Sequence, residues 1–109
     1  MTLNIIILPQ AERSLEDIEA WTRENFGEAK VQKYGGLLRA RFREIAEGRA
    51  FAKPLMRLTA LDRHIDINAC PTGRHYVLFQ VVKDRLYIID VIHQRRNLFS
   101  FYAPDLDDA

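Results

Sequence analysis

Two strongly β-prone runs near the end of the chain are separated by only three residues. Residues 74–82 and 86–93 are rich in β-branched and aromatic side chains, and Lys83-Asp84-Arg85 lies between them. So short a connection predicts an antiparallel hairpin. If the loop contains an even number of residues, strict alternation predicts that one set of side chains faces the core: Val77, Phe79, Val81, Leu86, Ile88, Asp90 and Ile92. The other, more mixed face then carries Arg74, Tyr76, Leu78, Gln80, Tyr87, Ile89, Val91 and His93, and we expect functional residues on it.

The N-terminal part of the chain predicts one short strand followed by two helices. Residues 3–8 are apolar and β-branched and end at Pro9, a residue that suits the first turn of a helix. Apolar residues then recur at helical spacing over about 10–25 and again over 28–48. Because the Phe26-Gly27 break leaves a joint of only a few residues, the helices must form an antiparallel hairpin.

Gly35 and Gly36 interrupt the second predicted helix. Each glycine costs about 1 kcal/mol relative to alanine in a helix interior, so a compensating gain is expected elsewhere. We expect close approach of the first helix at this point.

The segment between the helices and the hairpin is predicted to be a loop followed by a strand. Residues 49–62 contain Pro54 and show no clear period, which indicates a loop. Ile65, Ile67 and Ala69 then alternate with polar residues in a half-buried strand that stops at Pro71. The prediction is therefore one α+β domain over residues 1–109: an N-terminal strand, a helical hairpin and a mostly antiparallel sheet from three C-terminal strands, in the order β-α-α-β-β-β.

Composition excludes several classes of protein. Cys70 is the only cysteine, so no intramolecular disulfide can form, and the formal net charge of +1 gives no strong long-range attraction for a polyanion. The N-terminus lacks a basic segment and a cleavage site, so we expect a cytoplasmic protein with no membrane contact. Cys70, His64 and His75 lack the paired spacing of a zinc site, and no phosphate-binding loop is present, so neither a metal nor a cofactor is expected.

The C-terminal hairpin carries the most specific motif of the chain. Its second strand ends in Val91-Ile92-His93-Gln94-Arg95-Arg96, and its first follows Gly73-Arg74. Together with the order of elements and the Phe26-Gly27 break, this ending resembles ParE-type toxins of the ParE/RelE superfamily of toxin–antitoxin systems. The likeness covers almost the whole chain.

The resemblance implies a toxin of a type II, plasmid-stabilisation-like module that arrests growth by poisoning DNA gyrase. It also implies a ParD-like ribbon-helix-helix antitoxin that forms a hetero-oligomer with the toxin and alone contacts operator DNA. On this interpretation the toxicity residues are Arg74, His93, Arg95 and Arg96. The antitoxin tail folds on binding and covers the helical hairpin, with aromatic and apolar contacts at Trp21, Tyr34, Leu37 and Phe42.

Two other functions remain open at this point. A RelE-like, ribosome-dependent mRNA interferase shares the fold and needs acid–base and cationic groups, for which Arg74, His93, Arg95 and Tyr102 are the candidates. The lysine-rich strand of such nucleases is absent, and the predicted strand carries Asp66 instead, so the resemblance favours a gyrase poison over an enzyme. The remaining alternative is a non-toxic protein-interaction module, because a fold does not fix a function.

Overall fold

The computed structural model describes residues 2–60 and 63–95, which form an α+β fold with two helices and five strands. The elements in chain order are β1 (Asn4–Ile7), α1 (Pro9–Phe26), α2 (Glu28–Ala46), β2 (Lys53–Ala60), β3 (Arg63–Thr72), β4 (His75–Val82) and β5 (Arg85–His93). The predicted helical hairpin and the final β-hairpin are both confirmed.

Pro9 and Gly27 explain where the two helices begin and end. Pro9 opens α1 without a side-chain cap from Leu8, because leucine has no oxygen with which to cap a helix. Gly27 alone separates the helices and takes a φ of +89°, a left-handed conformation that favours glycine. A joint of one residue holds α1 and α2 side by side. No helix in the described part of the chain combines the length and hydrophobicity that a bilayer crossing requires.

The sheet is larger than the three C-terminal strands that the sequence predicted. Its order is β1-β5-β4-β3-β2, with β1 parallel to β5 and all other neighbours antiparallel. The additional C-terminal strand is β2, which was predicted to be a loop because of Pro54. A proline is tolerated there because β2 is an edge strand and its pairing with β3 shifts register between Pro54 and Met56.

The main core lies between the helices and one face of the sheet. From α2 it takes Leu38, Phe42 and Ile45, and from the sheet it takes Cys70, Val77, Phe79, Leu86, Ile88 and Val91. Asp90 of β5 is a charged residue within this core, only 2% exposed, and it binds α1 to the sheet. Its carboxylate accepts hydrogen bonds from Gln10 Nε2 at 2.8 Å and from Ser14 Oγ at 2.6 Å, which offset the cost of burying the charge.

One extra residue in β5 overturns the predicted alternation of that strand. Phe79 pairs with Ile88, but the preceding Leu78 pairs with Asp90, so Ile89 has no partner in the ladder. The prediction was therefore wrong beyond this β-bulge: Val91 packs in the helix-side core, whereas Ile92 lies in a second cluster with Leu78. A shift of one residue exchanges the two faces of a strand.

The second face of the sheet is apolar rather than open and mixed. Leu78 is fully buried and Ile92 is 4% exposed, and Tyr76 and Ile89 pack around them together with Ile67 and Ala69. The glycine prediction was also wrong, because a Cβ built at Gly35 or Gly36 would meet no atom within 4 Å. These glycines do not serve the packing of α1 on α2.

Candidate functional site

A tyrosine from α2 holds the turn between β3 and β4. The Tyr34 hydroxyl lies 2.5 Å from His75 Nδ1 and accepts a hydrogen bond from the Arg74 backbone N–H at 3.0 Å. Its own proton goes to His75, the nearer of two acceptors, since the Thr72 carbonyl is 3.4 Å away. The turn that carries Arg74 is thereby fixed to the middle of a helix.

The turn is shaped for this contact. Gly73 has a φ of +58°, and a Cβ added there would lie 2.6 Å from Cε1 of the Tyr34 ring. On the other side of the turn, Gln94 Nε2 donates to the carbonyls of Gly73 and His75 at 3.1 and 3.0 Å. The Gln94 backbone N–H also donates to the Arg74 carbonyl at 2.9 Å, so the end of β5 and the start of β4 are tied together.

Two histidines meet at this end of the sheet. His75 and His93 are paired across β4 and β5, and their rings contact edge to face with centroids 5.3 Å apart. His93 Nδ1 accepts the Arg95 backbone N–H at 3.1 Å, as His75 Nδ1 accepts the tyrosine proton. Assigned from these hydrogen bonds, each neutral imidazole carries its proton on Nε2.

Burial is the main reason why protonation of His75 is disfavoured. Burial, followed by electrostatic repulsion from His93 and Arg74, lowers the pKa of His75 from 6.5 to about 4. Burial raises the pKa of Tyr34 above its ordinary value. At neutral pH the pair is therefore an uncharged imidazole and an uncharged phenol, and the cationic character of the site comes from its arginines.

Arg74 and Arg95 are exposed beside the histidines. The ion pairs among the described residues lie elsewhere, on Arg23, Arg41 and Arg49. Neither Arg74 nor Arg95 is neutralised within that part of the chain. We call Arg74, His75, His93 and Arg95, with Tyr34 behind them, the cationic end of the sheet.

A groove of about 440 Å³ runs between α1 and α2. It is lined by apolar side chains such as Leu15, Ile18 and Val31, and Gly35 and Tyr34 also line it. Beyond the groove, the helices leave large apolar side chains uncovered: Trp21 is 54% exposed and packs edge to face on Phe26, and Leu37 is 42% exposed. These features are typical of a surface that a partner covers.

A known protein family matches nearly all of the chain, from β1 to just beyond β5. Residues 5–98 match the family model described as ParE toxin of type II toxin-antitoxin system, parDE. The chain belongs to the ParE toxin family. No match was found among curated proteins.

Family membership makes the chain the toxin component of a type II toxin–antitoxin module, with an antitoxin as its partner. Among the predicted toxicity residues, Arg74, His93 and Arg95 come together in this ParE-family toxin at the cationic end of the sheet. His93 lies on the helix side of β5 rather than on the opposite face, because the bulge at Ile89 reverses the alternation. Arg96 and Tyr102 lie outside the described residues.

The four residues predicted to contact the antitoxin differ in exposure. Trp21 and Leu37 are exposed on the helices, whereas Phe42 is 3% exposed and lines the floor of the groove. Tyr34 lines the same groove but also joins the cationic end of the sheet, a role that the sequence analysis missed. The sequence analysis considered His75 only as a metal ligand, and its position two residues after the turn glycine Gly73 was the available signal.

The toxin does not assemble the ligands of a metal ion in the part of the chain that the structure describes. No three His, Cys, Asp or Glu side chains converge among residues 2–60 and 63–95. Cys70 is buried, and burial raises the pKa of its thiol, which disfavours the reactive thiolate form.

Proposed function

We propose that this toxin arrests growth by poisoning DNA gyrase and that a ParD-like ribbon-helix-helix antitoxin neutralises it. The observation that carries the proposal is the match to the ParE toxin family over residues 5–98. In this proposal the module acts in the cytoplasm and stabilises the plasmid or chromosomal region that encodes it. Operator DNA is bound through the antitoxin in a hetero-oligomeric complex.

The proposed target-binding residues are those of the cationic end of the sheet, together with Arg96, which lies outside the described residues. Exposed arginines beside a rigid hairpin support this assignment, because arginine binds partners through several hydrogen bonds in a fixed geometry. The network around Gln94 and Tyr34 holds the surface in place before binding, which reduces the entropy lost on association.

The proposed antitoxin-binding surface is the helical hairpin. Trp21 and Leu37 offer exposed apolar contacts, and the groove between α1 and α2 offers a place for apolar side chains of a partner helix. Three acidic residues and one basic residue line the groove, namely Glu12, Glu16, Glu19 and Arg39, so an antitoxin segment with apolar and basic residues fits it best.

The test is a gel assay of purified toxin with DNA gyrase and ATP, on relaxed plasmid to measure supercoiling and on supercoiled plasmid to measure cleavage. We expect inhibition of supercoiling and toxin-dependent linear DNA after denaturation of the enzyme, both suppressed by the antitoxin. Two variants separate the surfaces. Arg74→Gln with Arg95→Gln should lose the effect on gyrase and keep antitoxin binding, whereas Trp21→Ser should weaken antitoxin binding and keep the effect on gyrase.

The second candidate function is mRNA cleavage of the RelE type. The close approach of Tyr34, His75 and His93 beside Arg74 favours it, since phosphodiester cleavage uses acid–base groups next to cations. The low pKa of His75 makes that residue a poor general acid at neutral pH. If the toxin arrests growth without affecting gyrase, cleavage of mRNA on purified ribosomes by wild type and not by His93→Gln would support this alternative. A chain that arrests no growth in cells would be an interaction module.

A further inference from the structure

The cationic end of the sheet presents hydrogen-bond donors that the described part of the chain does not use. Arg74 and Arg95 are exposed and form no ion pair within residues 2–60 and 63–95. In the same part of the chain, the hydrogen bonds of His75 and His93 engage Nδ1 only. Two guanidinium groups and two imidazole Nε2–H groups are therefore left as donors at this end of the sheet, and a surface of this composition attracts an anion.

The charges around His75 agree with an anion site. Arg74 and His93 act on it electrostatically, and both oppose its protonation. Among the described residues no carboxylate offsets these groups at His75, so an anionic partner that approaches them is attracted.

We propose that Arg74, His93 and Arg95 bind the phosphodiester backbone of double-stranded DNA. The inference rests on the proposed function, because the DNA in question is the segment that gyrase holds while the toxin is bound. Successive phosphates of a duplex let each arginine engage its own anion, so the two side chains need not converge. Arg74 immediately precedes β4 and Arg95 follows the end of β5; these paired strands are about 4.8 Å apart, and long arginine side chains extend from there to separate phosphates.

Because the formal net charge is only +1, we expect the isolated toxin to bind DNA with modest affinity. This affinity comes from the local cationic groups and not from the charge of the whole molecule. Contacts of this kind depend on salt, because each phosphate that is neutralised releases a counterion. The number of contacts can therefore be read from the salt dependence of binding. An acidic protein surface on gyrase is the competing partner, and it predicts no binding to free DNA.

The experiment measures binding of a fluorescently labelled DNA duplex by anisotropy at several salt concentrations below physiological. Wild type is compared with Arg74→Gln/Arg95→Gln and with Arg13→Gln/Lys33→Gln, a control that removes the same net charge from exposed positions on α1 and α2. Circular dichroism and thermal unfolding of each variant confirm that it is folded. His75 and His93 imidazole signals are followed by NMR as the duplex is added.

We expect the arginine variant to lose at least about tenfold in affinity at low salt and about two units in the slope of log K against log salt, because about one counterion is released per phosphate contact. The control should lose far less, and the histidine signals should shift in wild type and the control only. Equal losses in both variants, or no binding of wild type, would overturn the proposal. Gyrase is absent from this assay, so its outcome is independent of the gyrase assay. If the toxin binds DNA through its arginines but does not affect gyrase, the proposed target is refuted and the proposed DNA-binding site is supported.

Discussion

The hydroxyl of Tyr34 lies 2.5 Å from Nδ1 of His75, although 41 residues separate them in the chain. This hydrogen bond connects the helical hairpin, where we propose that the antitoxin binds, with the cationic end of the sheet, where we propose that the target binds. Because Tyr34 also lines the groove between the helices, one side chain borders both surfaces. The first three predictions test this connection.

Replacing Tyr34 with phenylalanine should destabilise the toxin and weaken its action. The Arg74 backbone N–H and His75 Nδ1 would each lose a hydrogen-bond partner, a loss of about 1–3 kcal/mol in the free energy of unfolding. Urea denaturation and growth arrest in cells measure the two effects. Tyr76→Phe is the control, because Tyr76 packs on the opposite face of the sheet. Equal losses in the two variants would mean that the Tyr34 hydroxyl has no special role.

The stability of the toxin should fall between pH 6.5 and about pH 4. The pKa of His75 is about 4 in the folded protein and 6.5 in the unfolded chain, so within this window the unfolded chain binds more protons. The contribution of His75 is full above pH 6.5, decreases as the pH falls and levels off below about 4. Urea denaturation at several pH values should show this decrease in wild type and a smaller one in His75→Asn, whose amide oxygen still accepts from Tyr34. Identical pH dependence in both proteins would contradict the shifted pKa.

Gly73→Ala should cost more stability than Gly48→Ala. Both glycines have positive φ, +58° and +75°, so either substitution strains the backbone by about 1–2 kcal/mol. Only at Gly73 does the added Cβ also meet a side chain, the Tyr34 ring at 2.6 Å, whereas at Gly48 nothing lies within 4 Å. Displacement of the ring should free His75 and raise its pKa toward 6.5, which NMR titration can follow. A loss of stability no greater than that of Gly48→Ala, with an unchanged His75 pKa, would show that the Tyr34 ring accommodates the added Cβ at little cost in free energy.

The sequence predicted those elements whose periodicity is strong and local. Both helices and the final hairpin follow from the spacing of apolar residues, and α1 was predicted within one residue of its observed ends at Pro9 and Phe26. The strand β2 was missed because Pro54 is a reliable strand breaker only where its missing N–H is needed. At the edge of the sheet, beside a register shift, that requirement is absent.

The site was predicted only in part, for two physical reasons. The bulge at Ile89 inserts one residue into β5 and sends His93 to the helix side, and alternation read from the sequence cannot reveal such an insertion. The pairing of Tyr34 with His75 depends on how the helical hairpin lies on the sheet, a contact between distant segments with no local signal. Arg74 and Arg95 were predicted because both belong to the motif of the final hairpin, and both are exposed at this end of the sheet.

The open glycines of α2 give a last pair of matched variants. Gly36 is exposed and Gly35 lines the groove, and a Cβ at either position would meet nothing within 4 Å. Either Gly→Ala change should therefore stabilise the isolated toxin by about 1 kcal/mol, because alanine loses less conformational freedom in a helix. The two variants should differ in their affinity for the antitoxin. A partner helix that enters the groove meets the new methyl group of Gly35→Ala and not that of Gly36→Ala, so only Gly35→Ala should bind the antitoxin more weakly. Thermal unfolding measures the first effect and calorimetric titration with the antitoxin the second. Unchanged antitoxin affinity in Gly35→Ala would place the antitoxin outside this groove, whereas destabilisation by either change would contradict the open surroundings of the two glycines.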